Sequence, residues 1–304
     1  MQFFKSVNID FIGNHVKIFV ISVLLILMTM IVFVYRGGPN YGIDFTGGIL
    51  MQISFQEENV ALQDVRRAIE NSGISSFELQ SSENLITIRT KQIFDSQEEF
   101  KNLVKDAIST KVPNNNMEIK KIEYVGSTVG AYFFKRAFYA FLFAFIGMII
   151  YIGFRFKSVL WGFSAVVGIV HDIIISFGFV LLVNKEVNIT VVAALLTIAG
   201  YSINDTIVLF DRIKENLEFY SKKDFGVVIN NSTNDVLVRT VVTSLTVFIV
   251  SCSLFFFGGE VIHTFAYVMI IGTCLGVFSS IFICAPLVYE LETRRRKYLK
   301  TAIK

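Results

Sequence analysis

Cysteine and proline are both scarce, three of each in 304 residues. Cys252, Cys274 and Cys284 all lie inside apolar runs. An odd, buried set gives neither a disulfide framework nor metal-ligand spacing, and reads as small packing residues. A strong charge of either sign is lacking too. The net charge of +3 gives no reason to invoke nucleic acid. There is no nucleophile–base pair, no metal-ligand cluster and no nucleotide loop. The one glycine-rich stretch, Gly42 to Gly48, lacks the Lys-Ser/Thr ending of a phosphate-binding loop. The chain does not look like an ATPase or any other enzyme, and no metal or organic cofactor is expected. Any work it does must draw on the membrane itself or on a partner.

Apolar sequence is what the chain has in quantity. It is 53% hydrophobic with a mean hydropathy of +0.59, which places it among membrane proteins. The first apolar run, Val16 to Tyr35, is long enough to span a bilayer. Tyr35-Arg36-Gly37-Gly38-Pro39 follows it in place of a small-residue cleavage site, so it reads as an uncleaved span. Five more runs cover Ala131–Phe154, Val159–Val183, Val187–Phe210, Thr240–Phe257 and His263–Tyr289. Asp211 to Arg239, rich in both charges, reads as amphipathic helix lying at the membrane surface.

Residues 36–130 differ in character. Alternation at Ile49–Phe55 predicts a strand, and Val60–Ile69 an amphipathic helix. Strands at Phe77–Gln80 and Leu85–Thr90 flank the turn residues Ser81 to Asn84. A second helix runs from Ser96 to Thr110, and a last strand from Glu118 to Val125. The order βαββαβ reads as a split βαβ, ferredoxin-like sandwich. The expected fold is therefore a polytopic helical membrane protein of six spans with an inserted α+β domain. Its parts are an N-terminal segment and first span (1–35), the inserted domain (36–130), five further spans (131–290) and a basic tail (291–304).

Basic residues in short loops set the orientation. One side collects Lys5, Lys17, Arg155, Lys157, Arg212 to Lys223, and Arg294 to Lys297. The other has only Lys185 in its short loops, beside Glu186 and Glu260. Both termini are expected in the cytoplasm, with 36–130 outside.

Four features could carry chemistry. Asp205 lies in the fourth run, roughly 9 Å along a helix from Asp211 at about 1.5 Å per residue. An ionisable group inside a span costs a few kcal/mol and is functional by default; the plainer role is a hydrogen bond pinning two helices. Tyr201 and Ser202 share its face, Asn204 adds polarity, and that face should point into a bundle. Asp172 lies near the middle of the third run, where an interhelical hydrogen bond competes with proton handling. Its neighbour His171 diverges by about 100° on a helix and need not touch it. Arg239 begins the fifth run, either as an interface anchor or as a counter-charge for Asp205, close when that acid is bare and apart when it is protonated. Gly42-Ile43-Asp44-Phe45-Thr46-Gly47-Gly48 reads as a tight turn into a strand, its glycines supplying unusual backbone angles. Small residues four apart, Ala193 with Thr197 and Gly272 with Gly276 and Ser280, suit close helix approach. Pro286 should bend or end the last span.

GIDFTGG at 42–48, the His-Asp pair of the third span, GYSINDTIVLFDRIKEN at 200–216, Arg239-Thr240 with Thr243-Ser244-Leu245-Thr246, and the opening Val7 to Gly13 resemble the SecF members of the SecD/SecF family. These are bacterial protein-export membrane proteins of the resistance-nodulation-division superfamily. The resemblance covers essentially the whole chain. It implies a heterodimer with SecD, association with the SecYEG channel and its SecA ATPase, and contact with the translocating preprotein. It also implies a place in the inner membrane among lipid, and use of the proton motive force in late stages of export, protons being the coupling ion. By motif, Asp205 corresponds to the family's proton-path carboxylate and Arg239 to its basic partner; Asp172 and Asn204 stand beside them. The alternative from the same superfamily is a half-size exporter of lipids or small molecules. A single six-span half with an outer domain of about 95 residues fits that less well.

Overall fold

The alternating run at Ile49 becomes the central strand β1 (Gly48–Phe55) in the computed structural model. The structure describes residues 9–302 apart from 56–59, 76, 83–84, 93, 95, 112–116 and 220–223. Lys5, Val7, Asn8, Glu83, Asn84, Lys222 and Lys223, used above, lie outside the described residues. Residues 41–138 form one compact unit; the residues up to Asn40 and from Tyr139 onward form the other.

In the first unit a short helix α2 (Ile43–Thr46) leads into β1, followed by α3 (Leu62–Glu70), β2 (Phe77–Ser82), β3 (Leu85–Thr90), α4 (Gln97–Lys111) and β4 (Met117–Val125). The sheet order is β2-β3-β1-β4, every neighbouring pair antiparallel. β1 and β2 thus run parallel with β3 between them, which is the split βαβ arrangement expected from the pattern. Alternation gives the sheet its inner face: Ile49, Met51, Ile53, Ile86 and Ile88 join Val65, Ile69, Phe100 and Val104 of the two helices in one core. A bulge between Gln52 and Ile53 shifts the pairing with β4.

The second unit is helical. α1 (His15–Tyr35), α5 (Ser127–Phe156, which begins in the first unit), α6 (Val159–Leu182), α7 (Ile189–Phe219), α8 (Phe225–Phe257) and α9 (Gly259–Ser279) are followed by a π-helical turn (Ser280–Cys284) and α10 (Ala285–Ala302). Among the described residues, six helical spans are long and apolar enough to cross a membrane. In their apolar windows 61% of α6 is buried but only 11% of α1 and 17% of α8. The core therefore sits on α6, α7 and α9, with α1 and α8 flanking. Phe156, Trp161 and Phe210 interlock at one end, with ring centroids 5.1–5.7 Å apart.

Three expectations are refined here. Asp211 to Arg239 is helical as expected, and its described part is continuous with its neighbours, extending α7 to Phe219 and beginning α8 at Phe225. Its polar groups pair with one another: Arg212 with Asp235 at 2.8 Å, and Asn216 donating to Ser232 at 2.9 Å. Ala193 and Thr197 are exposed, so they mediate no helix approach within this chain. Gly272 and Gly276 do: an added Cβ would lie 2.0 Å from Ile198 Cδ1 and 3.2 Å from Ser202 Cβ of α7. Pro286 does not end the last span. It follows the π-helical turn, where the widened backbone ladder accommodates its missing N–H.

Candidate functional site

Inward-facing positions on α7 fall at Ile198, Ser202, Asp205, Thr206 and Leu209, the spacing of one helix face. Asp205 is 3% exposed. Ser244 of α8 donates to Asp205 Oδ2 at 3.0 Å, and the Tyr201 hydroxyl donates to Ser244 Oγ at 3.1 Å. Ser244 faces inward with Thr240 and Ser251, a polar stripe at helical spacing along an otherwise apolar helix. That stripe is the signal by which Ser244 could have been found from sequence. A hydroxyl can donate to a carboxylate or accept from a carboxylic acid, so Tyr201–Ser244–Asp205 accommodates either state of the acid.

Arg239 lies fifteen residues into α8 and is exposed. It makes no ion pair among the described residues, though it stands close enough for its charge to reach Asp205. The pair is therefore open in this structure, and a serine holds the acid. Asn204 is also exposed, with Ala193, Thr197 and Gly200 along the same helix. It contributes nothing to the pocket of Asp205. Nor does Ser202 Oγ, which bonds elsewhere.

That other acceptor is Asp172, 0% exposed on α6. Ser202 Oγ donates to its Oδ2 at 2.7 Å and Ser279 Oγ, the last residue of α9, at 2.6 Å. His171 Nδ1 lies 3.0 Å from Oδ1. His171 and Asp172 do touch, a contact that their separation of about 100° around the helix did not require. The imidazole stacks on Phe278, centroids 6.0 Å apart. Gly168, one turn before Asp172, leaves space for the Cys284 sulfur, which a Cβ would meet at 2.3 Å. Three helices thus meet around one carboxyl.

Gly42 to Gly48 form the turn that the sequence predicts. After the single turn of α2, Gly47 (φ 70°) and Gly48 (φ 129°) reverse the chain into β1. A Cβ on Gly48 would lie 2.3 Å from the Thr90 carbonyl oxygen. Gly130 approaches the same turn, its position for a Cβ 2.8 Å from Phe45 O and 2.9 Å from Gly47 N. Asp44 is half-buried on α2. Among the described residues no group of acids, histidines and cysteines could hold a metal ion.

Residues 104–294 match the family model for the C-terminal region of the protein export membrane proteins SecD/SecF, and residues 37–58 match the SecD/SecF GG motif. A relative from Endomicrobium trichonymphae, named protein translocase subunit SecF, is 67% identical over 304 residues, covering 100% of this chain and 98% of its own. A protein of the same name from Calditerrivibrio nitroreducens is 38% identical over 295 residues, 95% of this chain and 96% of its own. Among solved structures, the Thermus SecDF, described as a translocon-associated membrane protein, superposes with a TM-score of 0.84 at 30% identity. That match covers 94% of this chain and 39% of the Thermus polypeptide, so this chain spans about two fifths of it.

Proposed function

This chain belongs to the SecD/SecF family of protein-export membrane proteins, and from that premise we propose that it is the SecF-type half of a proton-driven export device. Its full-length relatives are named translocase subunits, and it is an integral membrane protein of a bacterial membrane. The observation that carries the proposal is Asp205: an acid enclosed between α7 and α8, reached through Tyr201 and Ser244, with an unpaired arginine close by.

The reading runs as follows. A proton reaches Asp205, and Ser244 turns from donor to acceptor. When the proton leaves, Ser244 donates to the carboxylate again, the arrangement seen here, and the bare acid then draws in Arg239, which stands open in this structure. The alternation shifts α7 against α8, and the membrane potential biases it: one charge moved across 100 mV is worth roughly 2.3 kcal/mol, more than tenfold in an equilibrium. The outer domain transmits the movement to the emerging preprotein at a channel of the SecYEG type served by SecA. Protons are the coupling ion, and no covalent chemistry is required of this chain.

SecD fits as the second half for two reasons. The solved SecDF polypeptide has more than twice the length matched here. The exposed row Ala193, Thr197, Gly200 and Asn204 on α7 is made of small and polar residues, which suits another helix bundle better than acyl chains. Both termini then lie in the cytoplasm of the inner membrane, with the domain outside.

The test is translocation in membrane vesicles with Asp205→Asn in the full complex. ATP-driven transport should persist while its stimulation by a proton gradient is lost, about tenfold or more. Stimulation equal to that of the unsubstituted protein would overturn the relay.

A further inference from the structure

Asp172 is the most enclosed ionisable group of the helical unit, and the relay above leaves it without a task. We infer that Asp172, held by Ser202, Ser279 and His171, is a second proton-binding site of this chain, separate from Asp205. The inference rests on the proton-coupled reading only for what the second proton is used for; the binding itself stands on geometry.

Its donors and acceptors allow two states. With Asp172 ionised, the hydroxyls of Ser202 (2.7 Å) and Ser279 (2.6 Å) both donate to Oδ2, and His171 Nδ1–H donates to Oδ1. Three of the carboxylate's roughly four acceptor sites are filled by charge-assisted bonds. With a proton on Oδ2, Asp172 must donate, and one serine must give up its donation. Ser279 can, because the Gly276 carbonyl oxygen lies 3.3 Å from its Oγ and takes the released hydrogen. No atom is left unpaired by the exchange.

The proton is assigned to Asp172 and not to its neighbour. His171 is 4% exposed, and its Nε2 is buried without a hydrogen-bond partner. A proton there would create a buried cation with a stranded N–H, the costlier outcome. Neutral His171, its Nδ1–H on Asp172, strands only a lone pair. The other titratable groups on the elements around it are few: among the described side chains α9 carries His263, which lies against Lys185, with Tyr267 and Cys274. α7 presents Asp205, one turn beyond Ser202. The π-helical turn presents the Cys284 thiol. α1 has no ionisable side chain between Lys17 and Tyr35.

Position gives the site its meaning. Ser202 and Asp205 are three residues apart on α7, so one helix is held by both acids: to α6 and α9 through Asp172, and to α8 through Asp205. The π-helical turn begins immediately after Ser279, and Thr206 of α7 donates to Cys284 Sγ within it at 3.8 Å. Such turns mark places where a helix can change its ladder. Protonation replaces a charge-assisted bond from Ser279 by a neutral one beside that turn, loosening α9 against α6.

Proton-induced infrared difference spectra of the purified full chain in lipid nanodiscs test this directly. As buffer passes from mildly alkaline to mildly acidic, a carboxylic-acid C=O absorption should grow and persist in Asp205→Asn. On that Asp205→Asn background it should vanish when Asp172→Asn is added and change frequency when Ser279→Ala is added. If Asp172→Asn does not fold, the Ser279→Ala shift, read on the Asp205→Asn background, decides alone. The inference is overturned if Asp205→Asn removes all the pH-dependent absorption, or if the remainder ignores Ser279→Ala. Failure of the relay is read elsewhere: export stimulation that survives Asp205→Asn would leave the Asp172 band as it is.

Discussion

Gly272 and Gly48 show how differently one missing methyl group can matter. At Gly272 the obstacle is the Ile198 side chain, whose Cδ1, Cγ1 and Cγ2 would lie 2.0, 2.4 and 2.9 Å from an added Cβ, so the whole side chain must shift, at some cost. Gly272→Ala should destabilise the helical unit by about 1–3 kcal/mol as an overpacked contact, read as a lowered midpoint of thermal unfolding in detergent. At Gly48 the obstacle is the backbone oxygen of Thr90 at 2.3 Å, and the backbone angle of 129° is one that side chains avoid. Neither can yield. Gly48→Ala should therefore cost more than Gly272→Ala, because backbone strain of about 1–3 kcal/mol adds to the clash. Limited proteolysis of the full chain should then open residues 41–138 first. Equal resistance in the two variants would show that β1 can move away from β3.

Among elements, the segment before α1 is tied to the start of α8 by two asparagines. Asn230 Oδ1 accepts the amides of Phe11 and Ile12 at 2.9 and 3.1 Å; Asn234 exchanges hydrogen bonds with Ile9 N and O, both at 2.9 Å. Phe11 is buried against Phe282, centroids 5.4 Å apart. Asp10 orients Asn230 by accepting from its Nδ2 at 2.6 Å, and that bond, with a second from the Gly13 amide, holds its carboxyl below the usual carboxylate range. A depressed acid stabilises the folded form above its unfolded value and loses that contribution as pH falls through the depressed one. The Phe11 and Ile12 amides should stay protected from hydrogen exchange at neutral pH and open only in acid below the ordinary carboxylate range. Asp10→Ala should expose them at neutral pH. Protection that ignores both acid and Asp10→Ala would place the tie in Phe11 packing alone. Since α8 also carries Arg239 and Ser244, the tie joins the chain's first helix to the element that faces Asp205.

Across the whole molecule, contacts sort the loops of the helical unit into two ends. Arg155 pairs with Asp211 at 3.1 Å, Ser158 meets Glu292 at 3.3 Å and His15 meets Glu290 at 3.4 Å, all at one end. At the other, Arg36 donates to Leu182 O at 2.9 Å, and Lys185 lies 3.1 Å from His263. The first end carries most of the basic residues and should be cytoplasmic. A cysteine at Lys157 should resist a membrane-impermeant thiol reagent in intact cells while one at Asn184 reacts; the reverse labelling would invert the molecule. Copurification addresses the open face of α7 and α8: a second six-span chain should come with this one, and Asn204→Trp should release it. A self-dimer holding bound lipid would instead favour the half-size exporter.

Sequence alone determined the element plan, because hydrophobic period is a local property. The strands and helices of residues 48–125 follow from alternation and amphipathic spacing, and each span from run length. The glycine turn followed too, since the absence of a side chain is written in the residue itself. What the tertiary structure decided is partnership. Ser202 shares a helix face with Asp205 yet bonds Asp172, and Ser244, 39 positions away, takes its place. Arg239 stands open, and Ser279 closes a site that its own surroundings in the sequence do not announce. Which hydroxyl meets which acid depends on the rotation and depth of helices packed side by side. Those are set by Gly168, Gly272 and Gly276 through how closely the backbones approach, a sum over many contacts that no single stretch of chain contains.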